Sequence, residues 1–137
     1  LKPVEGVERA LRRSRLPRSI ASNSSKARVA QSLRLTGLES FFEGRITSYE
    51  ETPRGKPAPD VYVLAAERAG VAPTSCLAVE DSVAGVTSAL RAGFRVLGFT
   101  GTYHDRADQA WRLSEAGCET IIAHMDALDE AIAGFAR

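Results

Sequence analysis

The chain has 137 residues, of which 44% are hydrophobic and 26% are charged, and its formal net charge at pH 7 is +1. This length fits one domain with a sizeable core, and the composition is that of a soluble globular protein. The small net charge excludes a global field that would recruit nucleic acid or an anionic membrane, and no apolar run approaches the roughly 20 residues of a membrane span.

The two cysteines, Cys76 and Cys118, lie in or beside apolar runs and lack the spacing of metal ligands. They have the character of small buried hydrophobic residues in a reducing compartment. The sequence also shows no signal peptide. We therefore expect a cytoplasmic protein that contacts no membrane.

Hydrophobic periodicity predicts alternating helices and strands along the chain. Val4, Val7 and Leu11 recur at helical spacing, so an amphipathic helix should open the chain and end before Pro17. The predicted strands are 18–21, 45–49, 76–79, 95–99 and 119–123. The other predicted helices are one capped by Ser24–Ser25 and closed by Gly37, one capped by Asp60 and running to Arg68, one at 82–92, one around Trp111 and Leu113, and one at 127–135.

Strands separated by single helices cannot pair as hairpins and imply right-handed crossovers in a parallel sheet. The pattern therefore predicts an α/β fold of three layers, a Rossmann-like parallel sheet with helices on both faces. In such sheets the ligand site lies beyond the carboxyl ends of the strands.

Three of these strand ends carry polar groups suited to phosphoryl chemistry. Ser22 and Asn23 begin a run of hydroxyl and amide groups at a helix N-terminus, which is favourable for a phosphate. Lys56 follows the second strand and could neutralise phosphate charge. Glu80 and Asp81 end the strand 76–79 and could hold Mg²⁺, which would offset the repulsion and desolvation of two adjacent carboxylates.

Each of these groups also has a structural interpretation. The run from Ser22 to Ser25 could simply be the N-cap of a helix, with no phosphate bound. Lys56 could be a solvated loop lysine. Asp81 or Ser82 could cap the helix that follows. The order of the groups on successive strand ends favours the functional interpretation.

The same segments resemble motifs of the haloacid dehalogenase-like superfamily of phosphohydrolases, over nearly the whole chain. "IASNSS" is similar to the second motif, which makes Ser22 the phosphate-binding hydroxyl and Asn23 a further phosphate contact. "GKPAPDVY" is similar to the third motif and makes Lys56 its lysine. "VEDSVAGVTSALRAG" is similar to the acidic fourth motif, with Asp81 as metal ligand and Glu80 as ligand or outer neighbour. The resemblance implies Mg²⁺ as cofactor and Ser22 and Lys56 as catalytic residues.

The chain departs from this family at its start. Members begin with a strand ending in Asp-x-Asp, whose first Asp attacks phosphorus, and no two aspartates here stand two apart. We therefore expect residues 1–137 to be the C-terminal part of a core domain, without the first strand and the cap domain. That strand would be central, so we expect another segment to fill its place or the strands 18–21 and 76–79 to pair.

The resemblance implies an Mg²⁺-dependent phosphatase for a small phosphorylated, sugar-like metabolite, working through an aspartyl-phosphate whose nucleophile lies outside this chain. The chain alone should then be inactive, and the missing N-terminal segment could be its partner. Three alternatives remain: a phosphomutase of the same family, a non-catalytic phosphate-binding domain, and a nucleic-acid-binding fragment that uses the arginines of the first third. We favour a solvated helix face for those arginines and expect no nucleic-acid partner.

The remaining polar and aromatic residues have structural interpretations. Asp126 follows the strand 119–123 and should be an N-cap rather than a nucleophile. His104 should be a surface residue, and His124 has no evident partner in the sequence. Tyr103 and Trp111 should be packing residues.

Overall fold

The computed structural model describes residues 1–136 and contains eleven helices and strands in the predicted alternation. The strands are β1 (Ile20–Ser22), β2 (Ile46–Ser48), β3 (Leu77–Glu80), β4 (Arg95–Phe99) and β5 (Thr120–Ile122). The helices are α1 (Val7–Arg13), α2 (Lys26–Thr36), α3 (Asp60–Ala69), α4 (Val83–Arg91), α5 (Arg106–Ala116) and α6 (Leu128–Phe135). Single 3₁₀ turns lie at Glu39–Phe41, Tyr49–Glu51, Pro73–Ser75 and Met125–Ala127.

Local capping signals set the ends of several helices. The Ser25 hydroxyl accepts a hydrogen bond from the Arg28 N–H, and Gly37 ends α2 with a left-handed backbone, both as predicted. The predicted cap at Asp60 is wrong, because Pro59 precedes α3 and makes no side-chain capping bond. The Asp60 carboxylate instead pairs with Arg54 at 3.1 Å, since a guanidinium competes for it better than a backbone N–H.

All strand pairs are parallel, as the crossover pattern predicts. β1 pairs with β2, and β3, β4 and β5 form a second sheet in that order. In β4, Val96 joins the cluster under α3, α4 and α5, whereas Leu97 and Phe99 join the cluster under α1 and α6. Helices therefore cover both faces of this sheet, which confirms the three-layer α/β architecture. None of the helices among residues 1–136 is both long enough and apolar enough to span a bilayer.

The open edge of β1 corrects one expectation. Within residues 1–136, β1 and β3 do not pair with each other and no strand lies between them. The N–H of Ile20 bonds toward β2, so the peptide groups of Ala21 point to the other edge. There the Lys56 ammonium donates to the Ala21 carbonyl at 3.2 Å, and Ala21 packs against the cluster that contains Ala78. A lysine and the helix α3 thus join the two sheets where we had expected backbone pairing.

Candidate active site

The predicted phosphate and metal residues lie at the carboxyl ends of β1 and β3 and in the loop after β2. Ser22 is the last residue of β1, Glu80 is the last residue of β3, and Lys56 lies between β2 and α3. Lys56 bonds to residues of both strands, so it brings the two ends together. This is the edge of the sheet at which the parallel topology places a ligand site.

Lys56 is a buried lysine with defined partners. Its side chain is 11% exposed, and its ammonium donates to the Ala21 carbonyl and to the Glu80 carboxylate. The ammonium also lies 5.1 Å from the centre of the Tyr62 ring, within the range of a cation–π contact. An ammonium has three N–H donors, and within residues 1–136 two of them are used. One donor therefore remains for a ligand, and the interpretation as a solvated loop lysine is wrong.

Glu80 is held from two sides. Its residue is 7% exposed, and its Oε1 accepts hydrogen bonds from Lys56 and from the Tyr62 hydroxyl. Burial and then the negative charge of Glu80 raise the pKa of Tyr62 far above its ordinary value, so the phenol stays a donor. Gly85 lies directly against the carboxylate, where a Cβ would overlap it. The main partners of Glu80 are thus the ammonium and the phenol.

Asp81 presents its carboxylate at the surface beside this pair. Partial burial and then the negative charge of Glu80 raise the pKa of Asp81, and the charge of Lys56 opposes the rise. The hydroxyl of Ser82 caps α4 by accepting from the Gly85 N–H at 3.0 Å. The capping role therefore falls to Ser82, and the Asp81 carboxylate is not used for it.

The loop after β1 is organised around its own backbone and that of the lysine loop. The Ser22 hydroxyl accepts from the Ser24 N–H at 2.9 Å. The Asn23 carboxamide accepts from the Lys56 N–H at 2.9 Å and donates to the Lys56 carbonyl at 3.4 Å. A Cβ at Gly55 would lie 2.9 Å from the Asn23 Oδ1, so a side chain there would displace the Asn23 carboxamide from the lysine loop. Asn23 therefore positions the lysine loop, and its contact with phosphate stays a prediction.

The carboxylates of the site can be compared with the ligands that a divalent cation requires. Among residues 1–136 no cluster of three or more His, Cys, Asp or Glu side chains stands ready to hold a metal. Glu80 and Asp81 are adjacent, and Asp81 offers hard carboxylate oxygens that reach solvent. Mg²⁺ is commonly bound through one or two carboxylates, with water and substrate oxygens completing its shell. The residues present therefore fit Mg²⁺ as a partial site.

Two residues of the site were not foreseen from the sequence. Tyr62 stands six positions after Lys56 in the same motif, and its hydroxyl reaches Glu80. Gln109 is 8% exposed in α5, and its Nε2 donates to the Asp81 carbonyl at 2.9 Å. Tyr62 lies in the same sequence motif as Lys56, which is a signal for its place in the site, whereas nothing in the spacing around Gln109 indicates a contact 28 residues away.

Residues outside the site differ from several expectations. Asp126 is not an N-cap, because its N–H bonds to the His124 ring at 3.0 Å and its carboxylate pairs with Arg9 at 3.1 Å. His124 therefore does have a partner. Trp111 is 64% exposed, so its assignment as a packing residue is wrong.

The arginines of the first third are tied to carboxylates and carbonyls of the protein itself. Arg12 pairs with Glu8, Arg13 pairs with Asp129, and Arg18 donates to two backbone carbonyls of the segment before β1. These contacts favour the solvated and ion-paired helix face over a surface that binds nucleic acid.

The surroundings of both cysteines disfavour the thiolate form. Cys118 is buried, and burial with the nearby charge of Glu80 raises the pKa of its thiol to about 11. Burial likewise raises the pKa of the Cys76 thiol. The prediction of small buried hydrophobic residues is confirmed for Cys118, whereas Cys76 is only partly buried.

Comparison with known proteins adds a family to this geometry. Residues 1–93 match the haloacid dehalogenase-like hydrolase family. Among curated proteins, the chain is 36% identical over 110 residues to a β-phosphoglucomutase of Mycobacterium bovis, an alignment that covers 77% of this chain and 41% of the relative.

Two solved structures share the fold over almost the entire chain. A conserved haloacid dehalogenase-like protein of unknown function from Agrobacterium tumefaciens superposes with a TM-score of 0.94 at 42% identity, over 99% of this chain and 62% of that protein. A hydrolase from Deinococcus radiodurans with bound phosphate and sodium superposes with a TM-score of 0.86 at 35% identity, over 96% and 59%. This chain thus spans less than two thirds of each relative.

Proposed function

Because the chain belongs to the haloacid dehalogenase-like hydrolase family, we propose that its strand ends form the phosphate- and metal-binding part of an Mg²⁺-dependent phosphatase site. The observation that carries this proposal is the buried Lys56, which keeps one donor unused beside two carboxylates. The substrate proposed is a small phosphorylated sugar, since a β-phosphoglucomutase is among the relatives.

The proposed reaction uses the residues of this chain to stabilise the transferring phosphoryl group. Ser22 and the backbone N–H groups after β1 would hold phosphate oxygens, and Lys56 would neutralise their charge. Asp81, with Glu80 beside it, would hold Mg²⁺, which when bound supplies electrostatic stabilisation of the phosphate oxygens. Glu80 would act mainly by keeping Lys56 in place.

The attacking group in this proposal is an aspartate carboxylate from a segment outside these 137 residues. Its oxygen would form a bond to phosphorus as the bond to the sugar oxygen breaks, and that oxygen would take up a proton. Water would then hydrolyse the aspartyl-phosphate to inorganic phosphate and regenerate the carboxylate. A phosphomutase would use the same binding groups but return the phosphoryl group to the sugar.

Titration with inorganic phosphate tests the anion site directly. We expect Lys56→Ala to weaken phosphate binding at least tenfold, because a hydrogen bond to a charged group is worth about 1.5–3 kcal/mol. Calorimetry in the presence of Mg²⁺ gives the affinity. Lys2→Ala, which removes an exposed lysine, serves as the control and should leave it unchanged.

A second variant separates binding from folding. Lys56→Ala leaves Glu80 buried without its cation, so Lys56→Gln, which keeps a neutral N–H donor on a slightly shorter side chain, is measured alongside it. Circular dichroism confirms that each variant is folded. Phosphate affinity equal to that of the unsubstituted chain in both folded variants would contradict the proposal.

A further inference from the structure

The buried carboxamide of Gln109 contacts the proposed metal residue from a distant part of the chain. Its Nε2 donates to the Asp81 carbonyl at 2.9 Å, and the residue is 8% exposed. Gln109 lies in the first turns of α5, the helix that follows β4, whereas Asp81 follows β3. The bond thus ties two crossover units together at the edge of the sheet where the site lies.

The Asp81 carbonyl is a group that neither neighbouring element satisfies. The register of β3 with β4 ends at Glu80, which lies opposite Gly98. The first carbonyl that α4 uses is that of Ser82, which accepts from the Val86 N–H at 3.0 Å. Asp81 therefore lies between a strand and a helix and belongs to the hydrogen-bond ladder of neither, and Gln109 supplies the donor.

The direction of the Asp81 carboxylate depends on this short connection. Ser82 is fixed on one side through its capping bond to Gly85, and Glu80 is fixed on the other through Lys56 and Tyr62. The peptide after Asp81 is fixed by Gln109. The register of Glu80 with β4 and the bond from Gln109 to the Asp81 carbonyl hold the backbone on both sides of Asp81, so its Cα–Cβ bond has a defined direction and the carboxylate extends from a fixed point.

A buried amide is otherwise unfavourable at this place in α5. Burying a carboxamide costs free energy unless it forms hydrogen bonds. Leu113, one turn further along α5, is fully buried and shows what packing alone requires. The bond from its Nε2 to the Asp81 carbonyl offsets that cost.

We propose that Gln109 is a positioning residue for the metal site, which holds the peptide of Asp81 so that its carboxylate is oriented for Mg²⁺. This inference rests on the proposed function, because it assumes that Asp81 is a metal ligand. Partners that orient metal ligands typically contribute a factor of 10–100 in metal affinity. Gln109 touches no reacting atom, and its contribution comes through Asp81.

The test is Mg²⁺ binding to the intact chain with Gln109→Met, measured by calorimetry. Methionine has nearly the same volume and flexibility but no N–H donor, so α5 should stay packed while the Asp81 carbonyl loses its partner. We expect Mg²⁺ affinity to fall about tenfold. In ¹³C and ¹⁵N spectra, the Asp81 carbonyl and Ser82 amide resonances should also shift in the metal-free variant.

Two further variants make the outcomes distinguishable. Leu113→Met perturbs the packing of the same helix without touching Asp81, and its Mg²⁺ affinity should stay unchanged; an equal loss there would overturn the inference. Asp81→Asn should weaken Mg²⁺ binding strongly, and if it does while Gln109→Met binds normally, the inference fails and the metal assignment stands. Affinities that are equal in Asp81→Asn and the unsubstituted chain would overturn both.

Discussion

Glu80 shows how one side chain constrains its neighbours in the site. Its buried carboxylate accepts from Lys56 and Tyr62 and packs against Gly85 in the first turn of α4. Removing one partner from a buried ion pair typically costs 3–5 kcal/mol, because the other charge stays buried without compensation. The Lys56–Glu80 ion pair therefore depends on the space left by the missing side chain at Gly85 as well as on the two charges.

We expect Gly85→Ala to lower the free energy of unfolding by about 2–4 kcal/mol, because the new methyl group would displace the Glu80 carboxylate from Lys56. This is opposite to the usual effect, since alanine in a helix is about 1 kcal/mol more favourable than glycine. Urea denaturation gives the change.

Gly134→Ala is the matched control for this substitution. Gly134 lies in α6, and no atom beyond its own helix stands within 4 Å of a Cβ placed there. This variant should be stabilised by about 0.5–1 kcal/mol. Equal and favourable effects at both glycines would show that the carboxylate of Glu80 does not need the space at Gly85.

Among the secondary-structure elements, the turn after β2 is joined to α3 by an ion pair between Glu51 and Arg68. The hydroxyl of Ser48 accepts from the Glu50 N–H, and the Glu51 carboxylate accepts from the Ser48 N–H at 3.1 Å. Glu51 also pairs with Arg68 near the end of α3. The Arg68 bond and then the Ser48 bond lower the pKa of Glu51 to about 2. The loop that carries Lys56 therefore starts from a turn whose stability depends on an ionised carboxylate.

This lowered pKa predicts an acid-dependent stability. Because the folded-state pKa of Glu51 is about 2 and the ordinary value is 4.5, the unfolded chain binds the proton more readily between these values. The stabilisation is complete above about pH 4.5 and is lost as pH falls through about 2. We expect the unfolding free energy of Glu51→Gln to fall less steeply than that of the unsubstituted chain as the pH is lowered from about 4.5 to about 2.

Urea denaturation at a series of pH values between 2 and 6 measures the effect. Glu115→Gln, which removes an exposed carboxylate of α5, is the control for the loss of one acid elsewhere. A pH dependence of Glu51→Gln that runs parallel to that of the unsubstituted chain would contradict the role of the Arg68 pair.

Across the molecule, sequence patterns predict the structural features that depend on residues close together in the chain. Ser25 and Gly37 bound α2 through contacts within four residues, and the bounds of β4 are those of its apolar run. Asp60 was assigned wrongly because its partner Arg54 competes from the preceding loop. The contact of Gln109 with Asp81 depends on how two crossover units pack, which no local pattern encodes.

The open edges of β1 and β3 are likewise a feature that no local sequence pattern encodes. The alternation of strands and helices predicts parallel pairing, which the structure confirms, but it does not predict that Lys56 satisfies the Ala21 carbonyl. An ammonium with a buried stem replaces a backbone donor there, and residues of α3 pack in the same core cluster as Ala78 and Ala21 of the two sheets. The arrangement leaves the ends of β1 and β3 on either side of that ammonium.

The final prediction concerns catalysis by these 137 residues. We expect no turnover of an aryl phosphate with Mg²⁺, because neither Ser22 nor Lys56 is a nucleophile in the proposed reaction and the aspartates other than Asp81 are engaged elsewhere. Their partners are Arg54 for Asp60, the Asp108 N–H for Asp105, Arg112 for Asp108, Arg9 and Arg13 for Asp126, and Arg13 for Asp129.

The position of Asp126 makes this expectation specific. It follows β5, which lies two strands beyond β3 in the sheet, or about 10 Å away at the usual strand spacing. Its pairing with Arg9 also fixes α1 rather than facing Lys56. Release of inorganic phosphate is measured for the unsubstituted chain, for Asp81→Asn and for Asp126→Asn. Robust turnover by the unsubstituted chain would contradict the prediction. Its loss in Asp126→Asn, in addition to Asp81→Asn, would then indicate Asp126 as the attacking carboxylate, with Asp81 as the metal ligand.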